Sequence, residues 1–390
     1  MVIGDFMSSA LPAAVLLVIV AGILLAQHRP ALAPLFRWLP VPLWCYALPM
    51  LAVTFGWLPR NHPAYPAITG RGLPIALGLL LLGVDLPAVM RTGWRVVSAA
   101  LIGAAGILLG AAAGVWLLRA HLPSEAWKGA AALAGTWTGG TMNLLALRSI
   151  LQTPETIFAP LIAVDAIIAY GWMALLVAAS GAQQPIDRWL RAETAVPLAE
   201  PGAPPDAARP HQTRAAIACL LIALALTWGA QSLSVLLPTS RVVSSAAGWT
   251  VLLVTTGALA LSLAPDVRRL GAHGSLAGYP CLYLVLAATG AQARLDALWS
   301  TPVWVLLGVI IVVVHGVALL LAGRLLRVPL ALLATASQAN IGGVVSAPLV
   351  GAVYHQSLAP VGLLLALAGN AVGTYLGLLA AGLCRWVTTI

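Results

Sequence analysis

The chain has 390 residues, is 61% hydrophobic and only 8% charged, and has a mean hydropathy of +0.97. That composition excludes a soluble domain and describes a polytopic membrane protein. The net charge of +9 is carried almost wholly by arginine, with Lys128 the only lysine. The arginines sit at segment ends, where they anchor helices at the interface, and do not describe a nucleic-acid surface.

A spanning helix needs about 20 mainly apolar residues. The opening Met1-Val-Ile-Gly-Asp5 has no basic n-region, so the apolar run 10–26 reads as a first span rather than a cleavable signal. Segments near 41–58, 70–90, 96–118, 127–148 and 155–180 follow. Residues 181–213 are polar, charged and Pro-rich (Gln183-Gln-Pro, Glu200-Pro-Gly-Ala-Pro-Pro, Arg209-Pro-His). They read as a cytoplasmic linker between two transmembrane repeats, 1–180 and 214–390. The second set of segments lies near 214–237, 242–264, 276–293, 302–323, 329–351 and 357–384. Cys45, Cys219, Cys281 and Cys384 lie in apolar stretches without CxxC or metal-ligand spacing. No metal site is expected, and no haem, nucleotide or iron–sulfur cofactor.

Two segments are broken at the centre by polar, Gly-Gly-containing stretches. Segment 127–148 contains Gly135-Thr-Trp-Thr-Gly139-Gly140-Thr-Met-Asn143, and segment 329–351 contains Ser337-Gln-Ala-Asn340-Ile-Gly342-Gly343-Val-Val-Ser346. Hydrocarbon cannot satisfy unpaired backbone groups, so non-helical backbone at membrane depth survives only inside protein or along a cavity. Paired interruptions at corresponding positions point to a transporter's binding site. The two halves match in order: Trp44 with Trp249, the two Gly-Gly pairs, and Asp165 and Tyr170 with Asn370 and Tyr375, all at a near-constant offset. This reads as a duplication. Six full crossings per half would make the repeats parallel; inverted repeats need an odd number, and re-entrant hairpins at the breaks would supply it. Arginine placement does not choose between the two.

Asp165 lies about nine residues into segment 155–180, at a depth of about 13 Å by helical rise, near the bilayer centre. A carboxylate there is costly and is a functional candidate, able to exchange a proton or hold Na⁺; the alternative is a protonated side chain bonded to its neighbours. Asn370, its repeat mate, suggests that only one of two diverged sites titrates. Thr136, Thr138, Thr141 and Asn143 in the first break could coordinate a cation or a polar solute, as could Ser337, Gln338, Asn340 and Ser346 in the second. Gly139, Gly140, Gly342 and Gly343 permit unwound backbone and close chain approach; the competing reading is helix packing through small residues. His315, in mid-segment, could relay protons, although a lone histidine on an apolar face is more often a packing residue. Asp85, near Arg91 and Arg95, reads as an interfacial ion pair. Thr153-Pro154 reads as an N-cap and first helical residue before Glu155. Asp187, Glu193, Glu200 and Asp206 read as solvated linker charges.

The two broken stretches, with Leu80-Leu-Leu-Gly-Val-Asp85-Leu and Gly369-Asn-Ala-Val-Gly-Thr-Tyr-Leu-Gly377, resemble the signature stretches of a bacterial membrane-protein family, domain-of-unknown-function 819. That family is similar to the cation:proton antiporter and bile-acid:sodium symporter superfamily. The resemblance implies an all-α protein with two inverted repeats of five or six segments. It implies a scaffold (panel) domain, and a core domain with two discontinuous helices crossing at the midplane. It also implies alternating access by elevator motion, and an acidic residue in the helix after the first broken one, where Asp165 falls. Scaffold dimers are common where the resemblance points, so a homodimer through segments near 41–58 and 242–264 stays open. The chain departs from the family in its Arg/Ala-rich, Pro-rich linker and in Val344-Val345 after the second Gly-Gly. The resemblance names no substrate.

The expected function is an ion-coupled secondary active transporter of a small polar solute in the bacterial inner membrane, coupled to H⁺ or Na⁺ through Asp165. A channel, or a non-transporting sensor or scaffold, is the alternative. A membrane enzyme is disfavoured because the chain has no nucleophile elbow, HExxH or zinc spacing.

Overall fold

The computed structural model describes residues 2–38, 41–85, 87–88, 93–192, 212–238, 243, 245–293, 301–355 and 357–389. The linker stretch 193–211, with Glu193, Glu200 and Asp206, and also Arg91, lie outside them. The described residues are helical and contain no strand. That is the outcome an apolar solvent demands, since a helix pairs its backbone groups within itself.

The first half forms α1 (Val2–Ala26), α2 (Ala33–Trp38), α3 (Val41–Thr54), α4 (Ala64–Leu81), α5 (Trp94–Leu117), α6 (Ala126–Gly139), α7 (Thr141–Leu151) and α8 (Glu155–Ala179). A short α9 (Gln183–Leu190) follows. The second half forms α10 (Gln212–Ser234), α11 (Ala246–Ser262), α12 (Pro265–Gly271), α13 (Ser275–Gly290), α14 (Thr301–Leu326), α15 (Leu330–Ile341), α16 (Gly343–Tyr354) and α17 (Leu358–Thr389). Each apolar segment read from the sequence is therefore a helix or a broken helix, and the breaks fall where the Gly-Gly stretches lie.

Among the described residues, six helices are long and apolar enough to cross a membrane, or seven if α11 and α12, bent by 115°, count as one. The chain is a multi-pass membrane protein. The breaks explain why further segments fall short of spanning length. They divide 126–151 into pieces of 14 and 11 residues, and 330–354 into two of 12.

The helices gather into two compact units, each drawn from both halves of the chain. One comprises residues 1–83, 149–166 and 209–301; the other comprises 84–148, 167–208 and 302–390. In the first unit α4 packs on α13, α11 and α10, while α13 also packs on α3. Glycine sets how closely these helices meet. A Cβ on Gly290 would collide with the Tyr46 carbonyl, and one on Gly83 would lie 2.6 Å from the Gly271 carbonyl oxygen. Tyr46 also donates its hydroxyl to Glu155 Oε1 at 2.9 Å, fixing the start of α8. The Thr153 hydroxyl makes no hydrogen bond, so it does not cap α8 as its sequence position suggested. In the second unit α17 packs on α6, α16, α5 and α15, and both broken helices belong to this unit.

Gly290→Ala is expected to lower stability by about 1–3 kcal/mol, the usual penalty for overpacking. Gly70→Ala adds a methyl where nothing lies within 4 Å, and should be neutral or stabilising by about 0.5–1 kcal/mol. Thermal unfolding of the two purified variants in detergent checks both.

Candidate functional site

The first break turns on Gly140, whose φ of 78° and ψ of 173° an L side chain rarely adopts. The Gly140 N–H still reaches back to the Thr136 carbonyl at 2.5 Å. Asn143, in the first turn of α7, closes what the break opens. Its Nδ2 donates to the Gly139 carbonyl and, at 3.3 Å, to the Asn370 carbonyl; its Oδ1 accepts from Thr374 Oγ1 at 2.5 Å. One carboxamide thus ties α6, α7 and α17 together at a single point. Such proximity needs glycine on α17. A Cβ on Gly369 would lie 2.5 Å from the Thr138 carbonyl oxygen, and one on Gly373 would lie 2.7 Å from Gly139 Cα. The Asn370 side chain stands over the break, its Oδ1 3.2 Å from where a Cβ of Gly140 would be. Thr136 and Thr138 are buried, and the Thr138 hydroxyl turns back on the Ala134 carbonyl at 2.9 Å. Gly140 and Thr141 remain partly open.

The second break is built differently. Gly342 (φ −102°) ends α15 and Gly343 (φ 70°) begins α16. Gln338 Nε2 reaches across to Ser346 Oγ at 2.8 Å. Asn340 Nδ2 donates to the Ala100 carbonyl on α5 at 3.0 Å. Ser337 Oγ lies 2.8 Å from His315 Nε2 and accepts from Trp172 Nε1 at 2.8 Å, while His315 Nδ1 lies 2.8 Å from the Gly103 carbonyl oxygen.

These contacts fix the protons. A carbonyl only accepts, so His315 Nδ1 carries the hydrogen. In the neutral ring Nε2 then accepts from the Ser337 hydroxyl, which in turn accepts from the indole. The chain Trp172 → Ser337 → His315 → Gly103 runs in one direction and ties α8, α15, α14 and α5. His315 is fully buried and Ser337 is 1% exposed. This arrangement describes a strut between helices. Its two ends cannot reverse, because the Trp172 indole only donates and the Gly103 carbonyl only accepts.

Asp187 is not a solvated linker charge. Its Oδ1 accepts from the Leu330 N–H at 2.7 Å and caps the start of α15, while Gln183 Nε2 donates to its Oδ2 at 3.2 Å. An anion at a helix N-terminus satisfies an orphan donor and meets the positive end of the dipole. Asp85 lies just past α4 and accepts from the Ala88 N–H at 3.0 Å. Asp165 is partly buried in α8 and falls in the first unit, whereas Asn370, His315 and both breaks fall in the second. Among the described residues no three His, Cys, Asp or Glu side chains gather as metal ligands. Thr374, Trp172 and Gly103 join the breaks only in three dimensions, and Asp187 meets the far end of α15 in the same way. Thr374 had a signal, lying in the Gly369-Asn-Ala-Val-Gly-Thr-Tyr-Leu-Gly377 stretch directly after Gly373, but nothing local marks the other three.

A family model described as "Protein of unknown function (DUF819)" matches residues 14–386. The chain is also 26% identical over 350 residues to an uncharacterised membrane protein, YjcL, of Bacillus subtilis (strain 168), covering 84% of this chain and 86% of that protein.

Two outcomes follow from the geometry. A double-mutant cycle of Asn143→Ala and Thr374→Val, read by thermal unfolding, is expected to give a coupling of about 0.5–1.7 kcal/mol, the range for hydrogen bonds between membrane helices. Nitrogen NMR of ¹⁵N-histidine-labelled protein, assigned with His315→Gln, should show His315 as the neutral tautomer protonated on Nδ1. A signal protonated on Nε2 alone would contradict the assigned network.

Proposed function

The chain belongs to the family described as protein of unknown function (DUF819), a description that carries no activity, and we propose that it is an ion-coupled secondary active transporter of a small polar solute. The observation that carries this reading is the pair of helices broken at matching places and gathered into one compact unit. Interrupted helices are costly in hydrocarbon, and a duplicated pair of them is what a solute or ion site at the midplane needs. The make-up of the units supports the reading. The helices ahead of residue 84 and those between 209 and 301 form one unit, and those carrying the breaks form the other. A scaffold and a mobile core divided in this way suit elevator-type alternating access between inverted repeats in a bacterial inner membrane.

Coupling is assigned to Asp165, the carboxylate in the middle of α8, with H⁺ or Na⁺ as the driving ion. The Asn370 carboxamide over the first break, with Gly140 and Thr141 beside it, presents neutral oxygen atoms to the solute or the ion. An enzyme is disfavoured on geometry. Ser337 and His315 form a close pair, but the pair is sealed from solvent, its imidazole leans on a backbone carbonyl rather than a carboxylate, and the serine accepts from an indole. A channel would show flux without saturation or coupling, and a sensor would bind without flux.

Asp165→Asn is expected to abolish uptake or exchange driven by a proton or sodium gradient in proteoliposomes, while leaving folding intact by size exclusion. Unchanged gradient-driven flux in that variant would remove Asp165 from the mechanism.

A further inference from the structure

We propose that the second break binds a small monocarboxylate that also carries an N–H or O–H donor, of the α-amino or α-hydroxy acid class; this deepens, and rests on, the reading that the broken segments contact the transported solute. The first support is Gln338. It is 1% exposed, and its amide head lies so close to Gly342 that a Cβ there would strike Nε2. Its Nε2 donates to Ser346, but its Oε1 has no hydrogen-bond partner. A buried carbonyl oxygen is rarely left so, and one beside a break in the helix marks a place where a donor belongs.

The second support is the helix end itself. Gly342 gives α16 no side-chain cap, so the first N–H groups of a 12-residue helix have no acceptor within it and carry positive partial charge. Space is open there: a Cβ on Gly343 would meet nothing within 4 Å, and Gly342, Gly343 and Val344 are partly exposed. Ser346 adds a donor, because its oxygen accepts from Gln338 and its own hydroxyl hydrogen remains to be given.

The break therefore offers several donors and one bare acceptor. A carboxylate suits the helix end, and an ammonium, amide or hydroxyl hydrogen suits Gln338 Oε1. Residues 334–354 contain no Arg, Lys, Asp or Glu, so a second negative charge would find no counter-charge, and a bare cation would face the positive end of α16. At the first break the corresponding side chain, Asn143, is fully engaged by the Gly139 and Asn370 carbonyls and the Thr374 hydroxyl, and offers no bare atom of this kind.

The test uses the full-length protein in detergent and isothermal calorimetry with four probes: L-alanine, L-lactate, propionate and ethylamine. Saturable binding of L-alanine or L-lactate is expected, with propionate about tenfold weaker or more, since a site built around a substrate donor penalises its loss, and with no binding of ethylamine. Gln338→Leu should bring L-alanine and L-lactate down to the level of propionate and leave propionate unchanged. If Gln338→Leu does not elute as a single species, Gln338→Met, which keeps length and volume, makes the same comparison. Equal affinity for propionate and L-lactate, undiminished binding by the Gln338 variant, or no saturable heat with any probe would overturn the assignment. Binding is read without an ion gradient, so the two readings fail separately. Gradient-driven uptake of some other solute would leave the transporter standing, and probe binding without uptake would leave this site standing.

Discussion

An amide group inside a bilayer has no water to bond with, and each one left unpaired costs several kcal/mol. The long helices of this chain meet that demand alone. The helices α6–α7 and α15–α16 do not, because each gives up part of its backbone ladder at a glycine. Much of the surrounding packing can be understood as repair of those two interruptions. At the first break Asn143 bonds the Gly139 carbonyl, and at the second Gln338 reaches across to Ser346, while Asp187 at the far end of α15 and Asn340 against the Ala100 carbonyl hold the broken helix in place. The glycines on α17 follow from the same demand, since only a bare backbone lets that helix come within reach of Thr138 and Gly139.

The two repairs are unequal. Asn143 and Ser346 occupy the same place, three residues after the second glycine of each pair. Asn143 has donors and an acceptor and satisfies three partners on two further segments. Ser346 has a single hydroxyl and takes one bond from Gln338, whose other amide atom is left bare. The two broken segments thus share the break but not its closure. The His315 strut lies on the less complete side and holds α15 through Ser337, one residue before Gln338. A rigid support beside an unsatisfied group is the arrangement expected of a binding position.

The segment boundaries were legible because apolar runs of spanning length alternate with short polar turns. The breaks were legible because threonine, asparagine and paired glycine are conspicuous in an apolar run. Other features were not written locally. Asp187 looked like a solvated charge because its partner, Leu330, is 143 residues away. Trp172 gave no sign, since the serine it supports is 165 residues away. Thr153 followed by Pro154 carried the local pattern of a cap, yet Tyr46 reaches Glu155 instead and the Thr153 hydroxyl stays unused. Ser337 and Asn340, read from the sequence as candidate ligands, are also engaged by packing partners on α14, α8 and α5 that no local pattern announces. The assembly of units across the two halves also escapes any local pattern, because it depends on which helices meet after the whole chain is inserted.

That assembly bears on how the protein is made. Residues 84–148 emerge early from the ribosome, but Thr374 and the Asn370 carbonyl, which complete the bonding of Asn143, lie on the last helix. Until α17 inserts, the break at Gly140 must wait in the membrane with polar atoms unsatisfied. A nascent chain halted before residue 370 is therefore marked as incomplete by its own chemistry, and the final helix acts as the seal on a site laid down more than half a chain earlier.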